Sequence, residues 1–117
     1  MGYILADKAK RALKIEAELN RILEKLKNID VKKVILFGSA VSGNINSKSD
    51  IDLIIVKETN ASFLTRIDEI YAAIEPNMAV DILVYTPEEF DALEKTNSFV
   101  SRAVKEGRLL YETGFQA

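Results

Sequence analysis

Val34-Ile35-Leu36-Phe37-Gly38-Ser39, then ten residues, then Asp50-Ile51-Asp52-Leu53 is the stretch on which the reading of this chain turns. Val34 to Phe37 is short, apolar and β-branched at its start, the pattern of a buried strand, and Gly38 marks where that strand must turn. Ile51 to Val56 is again apolar and β-branched, so Asp50 and Asp52 stand at the start of a second strand. A side-chain period of two points both carboxylates to one face. Two carboxylates held together repel each other, and a shared proton or a divalent cation relieves the repulsion; hard oxygen ligands favour magnesium or manganese. Such a pair beside a turn with free backbone N–H groups points to metal-assisted chemistry on a nucleotide.

Asp81 is the third candidate. It lies in Ala79-Val80-Asp81-Ile82-Leu83-Val84-Tyr85, another strand-like run. A charged residue near the start of an otherwise apolar strand needs an explanation. If this strand lies beside Ile51–Val56, three carboxylates can meet at one edge of the sheet. Three acids around two metals suit in-line displacement at phosphorus.

Working outward, residues 6–27 carry Ala12, Ile15, Leu19, Ile22, Leu23 and Leu26 on one helical face, expected to cover the sheet rather than a partner helix. Lys8, Lys10, Arg11 and Lys14 form a basic cluster at its start, which reads as a solvated helix end. A short helix through Ala40-Val41-Ser42 closes at Gly43, and Asn44 to Ser49 is a polar loop near the site. A helix over 61–74 stops before Pro76, because the residue preceding proline is pushed out of helical geometry. Thr86-Pro87-Glu88-Glu89 is an N-cap, a proline at the first helical position and a capping glutamate. Ser98 opens a further helix ending near Gly107, and Leu109-Leu110-Tyr111 adds a last short strand.

Composition bounds the function. A chain of 117 residues, 48% hydrophobic, makes one domain with one core and leaves little room for a second substrate-binding domain. Cysteine and histidine are absent from the sequence. Carboxylates must therefore do the acid–base work, and Ser39 has no imidazole to activate it as a nucleophile. With a net charge of −2 the overall basic footprint of a nucleic-acid binder is missing, so a polynucleotide partner is not favoured. No apolar run reaches the length of a membrane span or of a signal-peptide core, which makes a cytoplasmic location the expectation.

Phe37-Gly38-Ser39, the ten-residue gap, Asp50-Ile51-Asp52-Leu53 and Val80-Asp81-Ile82 together resemble the minimal nucleotidyltransferases of the DNA polymerase beta superfamily. Tyr85-Thr86-Pro87-Glu88-Glu89-Phe90 and Glu106-Gly107-Arg108-Leu109-Leu110-Tyr111 extend the resemblance over roughly residues 30 to 112. It implies an α/β (α+β) nucleotidyltransferase fold, a small mixed β-sheet packed against helices in a single domain. The division expected is an amino-terminal helix over 1–29, a core over 30–112 and a frayed tail over 113–117. It further implies transfer of a nucleoside monophosphate from a magnesium nucleoside triphosphate, most simply ATP, to an acceptor hydroxyl, with release of pyrophosphate. Asp50, Asp52 and Asp81 would hold two magnesium or manganese ions, with Asp81 completing the site or acting as base. Gly38 and Ser39 would hold the β and γ phosphates, with Ser49 and Lys48 as further phosphate contacts.

Relatives commonly carry loop arginines after the Gly-Ser pair, whereas this chain reads Gly38-Ser39-Ala40-Val41-Ser42-Gly43. The bidentate guanidinium clamp on a triphosphate is therefore missing from the loop. The resemblance also implies a partner, a small helical HEPN protein for which such chains act as antitoxin, or association of the chain with itself. The rival expectation is a catalytically weak nucleotide-binding or antitoxin subunit that neutralises its partner by contact.

Overall fold

The computed structural model describes residues 2–42 and 50–113, without the side chains of 2–6, 39 and 42. The element order is α1(Gly2–Lys27), β1(Lys33–Phe37), α2(Ser39–Ser42), β2(Ile51–Val56), α3(Phe63–Ile74), β3(Val80–Tyr85), α4(Pro87–Thr96), α5(Ser98–Glu106) and β4(Arg108–Glu112). Gly43, the loop over 44–49 with Lys48 and Ser49, and the tail from 114 lie outside the described residues.

The strands form one mixed sheet in the order β3-β2-β1-β4. β1 is antiparallel to both β2 and β4, and β2 is parallel to β3 through the α3 crossover. The central strand β2 is buried at every position, which is why its sequence is a near-continuous apolar run instead of an alternation. Alternation survives in where its residues go. Ile51, Leu53 and Ile55 join Val34, Leu36, Val80, Ile82 and Val84 in a core beneath α1 and α3. Ile54 and Val56 point the other way with Ile35, against Phe90 of α4 and Val100 and Ala103 of α5. Helices thus cover both faces of a four-stranded sheet, the architecture expected from the sequence.

The helix starts follow local chemistry. Ser62 caps α3 by accepting from the Thr65 N–H, so the helix begins two residues later than the spacing alone suggests. Thr86 and Glu89 form the expected reciprocal capping box on α4, with Pro87 in its first turn. Helix α5 opens at Ser98, as expected, with Asn97 as its cap. At the other end of α5, a Cβ on Gly107 would overlap the carbonyl oxygens of Ala103 and Leu36, so only glycine lets the chain turn from α5 into β4 beside β1.

Helix α1 is longer than the sheet it covers. Leu19, Ile22 and Leu26 are buried on the core, but residues 7–14, Ala12 among them, are exposed. At 1.5 Å per residue a 26-residue helix runs roughly 39 Å, about twice a strand of five or six residues, so its amino-terminal half projects past the sheet. The apolar stripe ends where the sheet ends.

Candidate functional site

The site is built where β1 ends and β2 and β3 begin. In the register of the sheet Phe37 pairs with Asp52, and Asp52 pairs with Asp81. Both aspartates lie on the face shared with Ile54, Leu83 and α5, and both line an open groove of about 470 Å³ together with Phe37, Tyr71 and Phe99. Strand adjacency, which the sequence leaves undecided for Asp81, is thereby established. Asp52 is 8% exposed while Asp81 is open to solvent.

Gly38 sits directly over Asp52. Its φ of +76° is a left-handed conformation, and a Cβ there would overlap Asp52 Oδ2. The turn residue is therefore glycine for two reasons, one conformational and one steric. It brings bare backbone within reach of the carboxylate, and the chain continues into the single turn α2, whose Val41 N–H returns to the Gly38 carbonyl. The Ser39 backbone opens this turn, but its side chain lies outside the described residues, as do Lys48 and Ser49.

Asp50 stands differently from its neighbours. It precedes the strand, and its N–H and that of Ile51 both donate to the Ala79 carbonyl, so regular alternation is not yet in force. Its carboxylate accepts from Arg11 Nη2 of α1 at 2.5 Å, in a second groove on the α1 side. Among the described residues no three acidic side chains form a ready cation cluster. The in-register Asp52 and Asp81 nevertheless supply hard oxygen donors of the type a magnesium or manganese ion takes, and the Arg11 hydrogen bond to Asp50 is made through Oδ1. The donor chemistry fits such an ion.

Neighbouring groups tune this end of the sheet. The Tyr71 hydroxyl donates to the Val80 carbonyl. Burial, and then the negative charge of Asp81, push that hydroxyl above its ordinary pKa, so Tyr71 stays protonated and serves as a strut rather than a base. Phe37 and Phe99 meet edge to face at 5.4 Å between ring centroids. The half-exposed Phe99 also borders a wider groove of about 660 Å³ that contains Gly38 and Arg102.

Arg11 is the residue that the sequence reading left in a solvated cluster, because a helix end gives no sign of a partner 39 positions away. The one hint was the guanidinium missing from the loop. Glu18 was likewise invisible. It is 4% exposed, paired with Arg21 Nε at 2.8 Å, and accepts the Asn77 N–H at 2.7 Å. The hydrogen bonds of Arg21, together with that of Asn77, hold its carboxyl down to about 2.

Comparison with known proteins agrees with this geometry. Residues 17–116 match the family described as "Polymerase beta, Nucleotidyltransferase". A protein of Methanocaldococcus jannaschii named "Putative protein adenylyltransferase MJ0604" is 32% identical over 82 residues, covering 69% of this chain and 79% of that protein. A crystal structure of a "putative nucleotidyltransferase" from Sulfolobus solfataricus superposes with a TM-score of 0.64 at 21% identity, over 90% of this chain and 86% of that one, and so shares its fold. The chain belongs to the polymerase beta nucleotidyltransferase family, as a minimal member of it.

Proposed function

We propose that this protein transfers the adenylyl group of ATP to a hydroxyl of a protein acceptor. The observation that carries the reading is the convergence of Gly38, at the end of β1, with Asp52 and Asp81, near the starts of β2 and β3 and on one face of the sheet. The M. jannaschii relative, named for protein adenylylation, supports ATP and a protein target.

In this reading the Gly38–Ser39 backbone restrains the β and γ phosphates. Phe99 offers its exposed ring to the base, where stacking on an aromatic is worth about 1–3 kcal/mol. Asp50, Asp52 and Asp81 would hold the magnesium or manganese ions, which would supply charge neutralisation at the phosphoryl oxygens. Asp81, the exposed acid, takes the proton of the acceptor hydroxyl. The hydroxyl oxygen bonds to the α-phosphorus as the bond from that phosphorus to the bridging oxygen breaks, and pyrophosphate leaves. A small helical HEPN partner would be one such acceptor.

The test is transfer of label from α-phosphate-labelled ATP, GTP, CTP and UTP to protein, RNA and small-molecule fractions of a lysate, with Asp52→Asn and Asp81→Asn as controls. We expect label in protein from ATP, reduced at least about a hundredfold by either substitution, since such charge stabilisation is worth several kcal/mol. Label that is equal in the variants, or confined to RNA, would overturn the reading.

A further inference from the structure

Helix α5 turns one side toward the Gly38 turn. Phe99, Arg102 and Glu106 follow one another along it at helical spacing, and with Gly38, Val41 and Ala103 they line the groove of about 660 Å³ beside the acids. We infer that Arg102 is a triphosphate-binding residue: its guanidinium leaves Glu106 for the β and γ phosphates at the Gly38 turn, supplying from α5 the clamp that the loop sequence lacks. The inference rests on the transfer reading above and adds to it the residue that recognises the leaving group.

This groove is continuous with the one that holds the acids. Phe37 and Phe99 line both, and Gly38 stands so close to Asp52 that a Cβ would overlap its Oδ2. A triphosphate that reaches from the acids across Gly38 therefore enters the groove of Arg102. It brings negative charge to an end of the sheet that already carries Asp52 and Asp81. Among the described residues lining the two grooves, Arg102 is the one cation. The stretch Gly38-Ser39-Ala40-Val41-Ser42-Gly43 contains neither arginine nor lysine. A guanidinium suits the task because its planar fork meets two phosphate oxygens at once. With Phe99 one turn earlier for the base, a single side of α5 serves both ends of the nucleotide.

The backbone that carries Arg102 is fixed, while its side chain is weakly engaged. Val100 and Ala103 are buried against the sheet, Asn97 accepts the Val100 N–H at the start of the helix, and the Gly107 N–H returns to the Ala103 carbonyl at its end. The Arg102 side chain is 77% exposed and donates from Nε to Glu106 at 3.1 Å. Cation before anion at i and i+4 is the less favourable order on a helix, and Glu106 ends α5, where the helix dipole disfavours negative charge. An exposed pair of this kind adds little to the fold. A triphosphate offers more charge and more acceptor oxygens, so Glu106 is the competitor that it displaces.

The experiment is equilibrium dialysis of labelled magnesium-ATP against the full chain, with AMP and magnesium tripolyphosphate as competitors. Arg102→Gln should weaken magnesium-ATP at least about tenfold, the loss expected of a charge-assisted bidentate contact, while AMP changes less than about twofold. Arg102→Lys should fall between, since a point charge replaces a fork. Glu106→Gln frees the guanidinium and should tighten both magnesium-ATP and tripolyphosphate about two- to fivefold, the worth of an exposed ion pair. Four results would overturn the inference: no magnesium-ATP binding by the unmutated chain, unchanged affinity in Arg102→Gln, equal losses for ATP and AMP, or weakening in Glu106→Gln, which would make the pair a support of α5. Label transfer to protein that persists alongside unchanged ATP affinity in Arg102→Gln would leave the transfer reading standing without this residue. Arg102-dependent ATP binding with no label transferred would instead overturn the transfer reading and leave Arg102 as a triphosphate contact.

Discussion

At the scale of single residues, Gly38 and Asp52 act as one unit. A Cβ on Gly38 meets the carboxylate end of the Asp52 side chain rather than backbone, so accommodating it means moving that carboxylate. Gly38→Ala should therefore cost about 1–2 kcal/mol, from the left-handed backbone alone. Its larger effect should be on function, because the displaced carboxylate no longer faces Asp81. Urea unfolding together with magnesium-ATP binding checks this: a variant that loses stability yet binds nucleotide normally would show that Asp52 tolerates the shift. The contrast with Gly107 is instructive, since there the overlapping atoms are backbone carbonyls that cannot move away.

Between elements, the consequential links are polar. Glu18 joins α1 to the segment before β3, while Arg66 joins α3 to the β3 carbonyl of Val84 and to Glu89 of α4. The unfolded Glu18 carboxyl titrates near 4.5 and the folded one near 2. Its contribution is thus fully present above pH 4.5 and is lost as pH falls from there toward 2. The shift corresponds to about 3 kcal/mol at neutral pH. Glu18→Gln should remove most of this and flatten the acid limb of the stability curve, read by thermal unfolding at a series of pH values; an unchanged acid limb would show that other carboxylates govern it. Glu16 and Glu89 are also held below their ordinary values, first by hydrogen bonds from Arg108 and Arg66, and they act in the same direction. Thr86→Ala removes one half of the capping box and should cost about 1 kcal/mol in denaturant unfolding without altering nucleotide binding, because Thr86 follows the end of β3 whereas Asp81 stands at its start.

Over the whole molecule, no helix among the described residues is long and apolar enough to cross a membrane. The dominant shape feature is the overhang of α1, reflected in principal extents of 50 × 33 × 29 Å. Much of this was legible in the sequence because it depends on short-range rules. Strand β2 was readable from its apolar run, α4 from its capping box, and the paired Gly38 and Asp52 from a turn followed by acids at fixed spacing. These signals are local in the chain, so propensity and periodicity suffice. What the sequence could not decide were the meetings of residues far apart in it. The Asp52–Asp81 adjacency depends on β3 pairing parallel with β2, Glu18 on an asparagine 59 positions later, and Arg11 on the reach of a helix past the sheet. Asp50 departs from the period-two expectation because two successive N–H groups share the Ala79 carbonyl. Such contacts form only once helices and strands are packed, when burial and hydrogen-bond demand choose partners that no local pattern names. The sequence by itself thus determined the elements and the chemistry available to them; the tertiary structure decided which of those groups stand face to face.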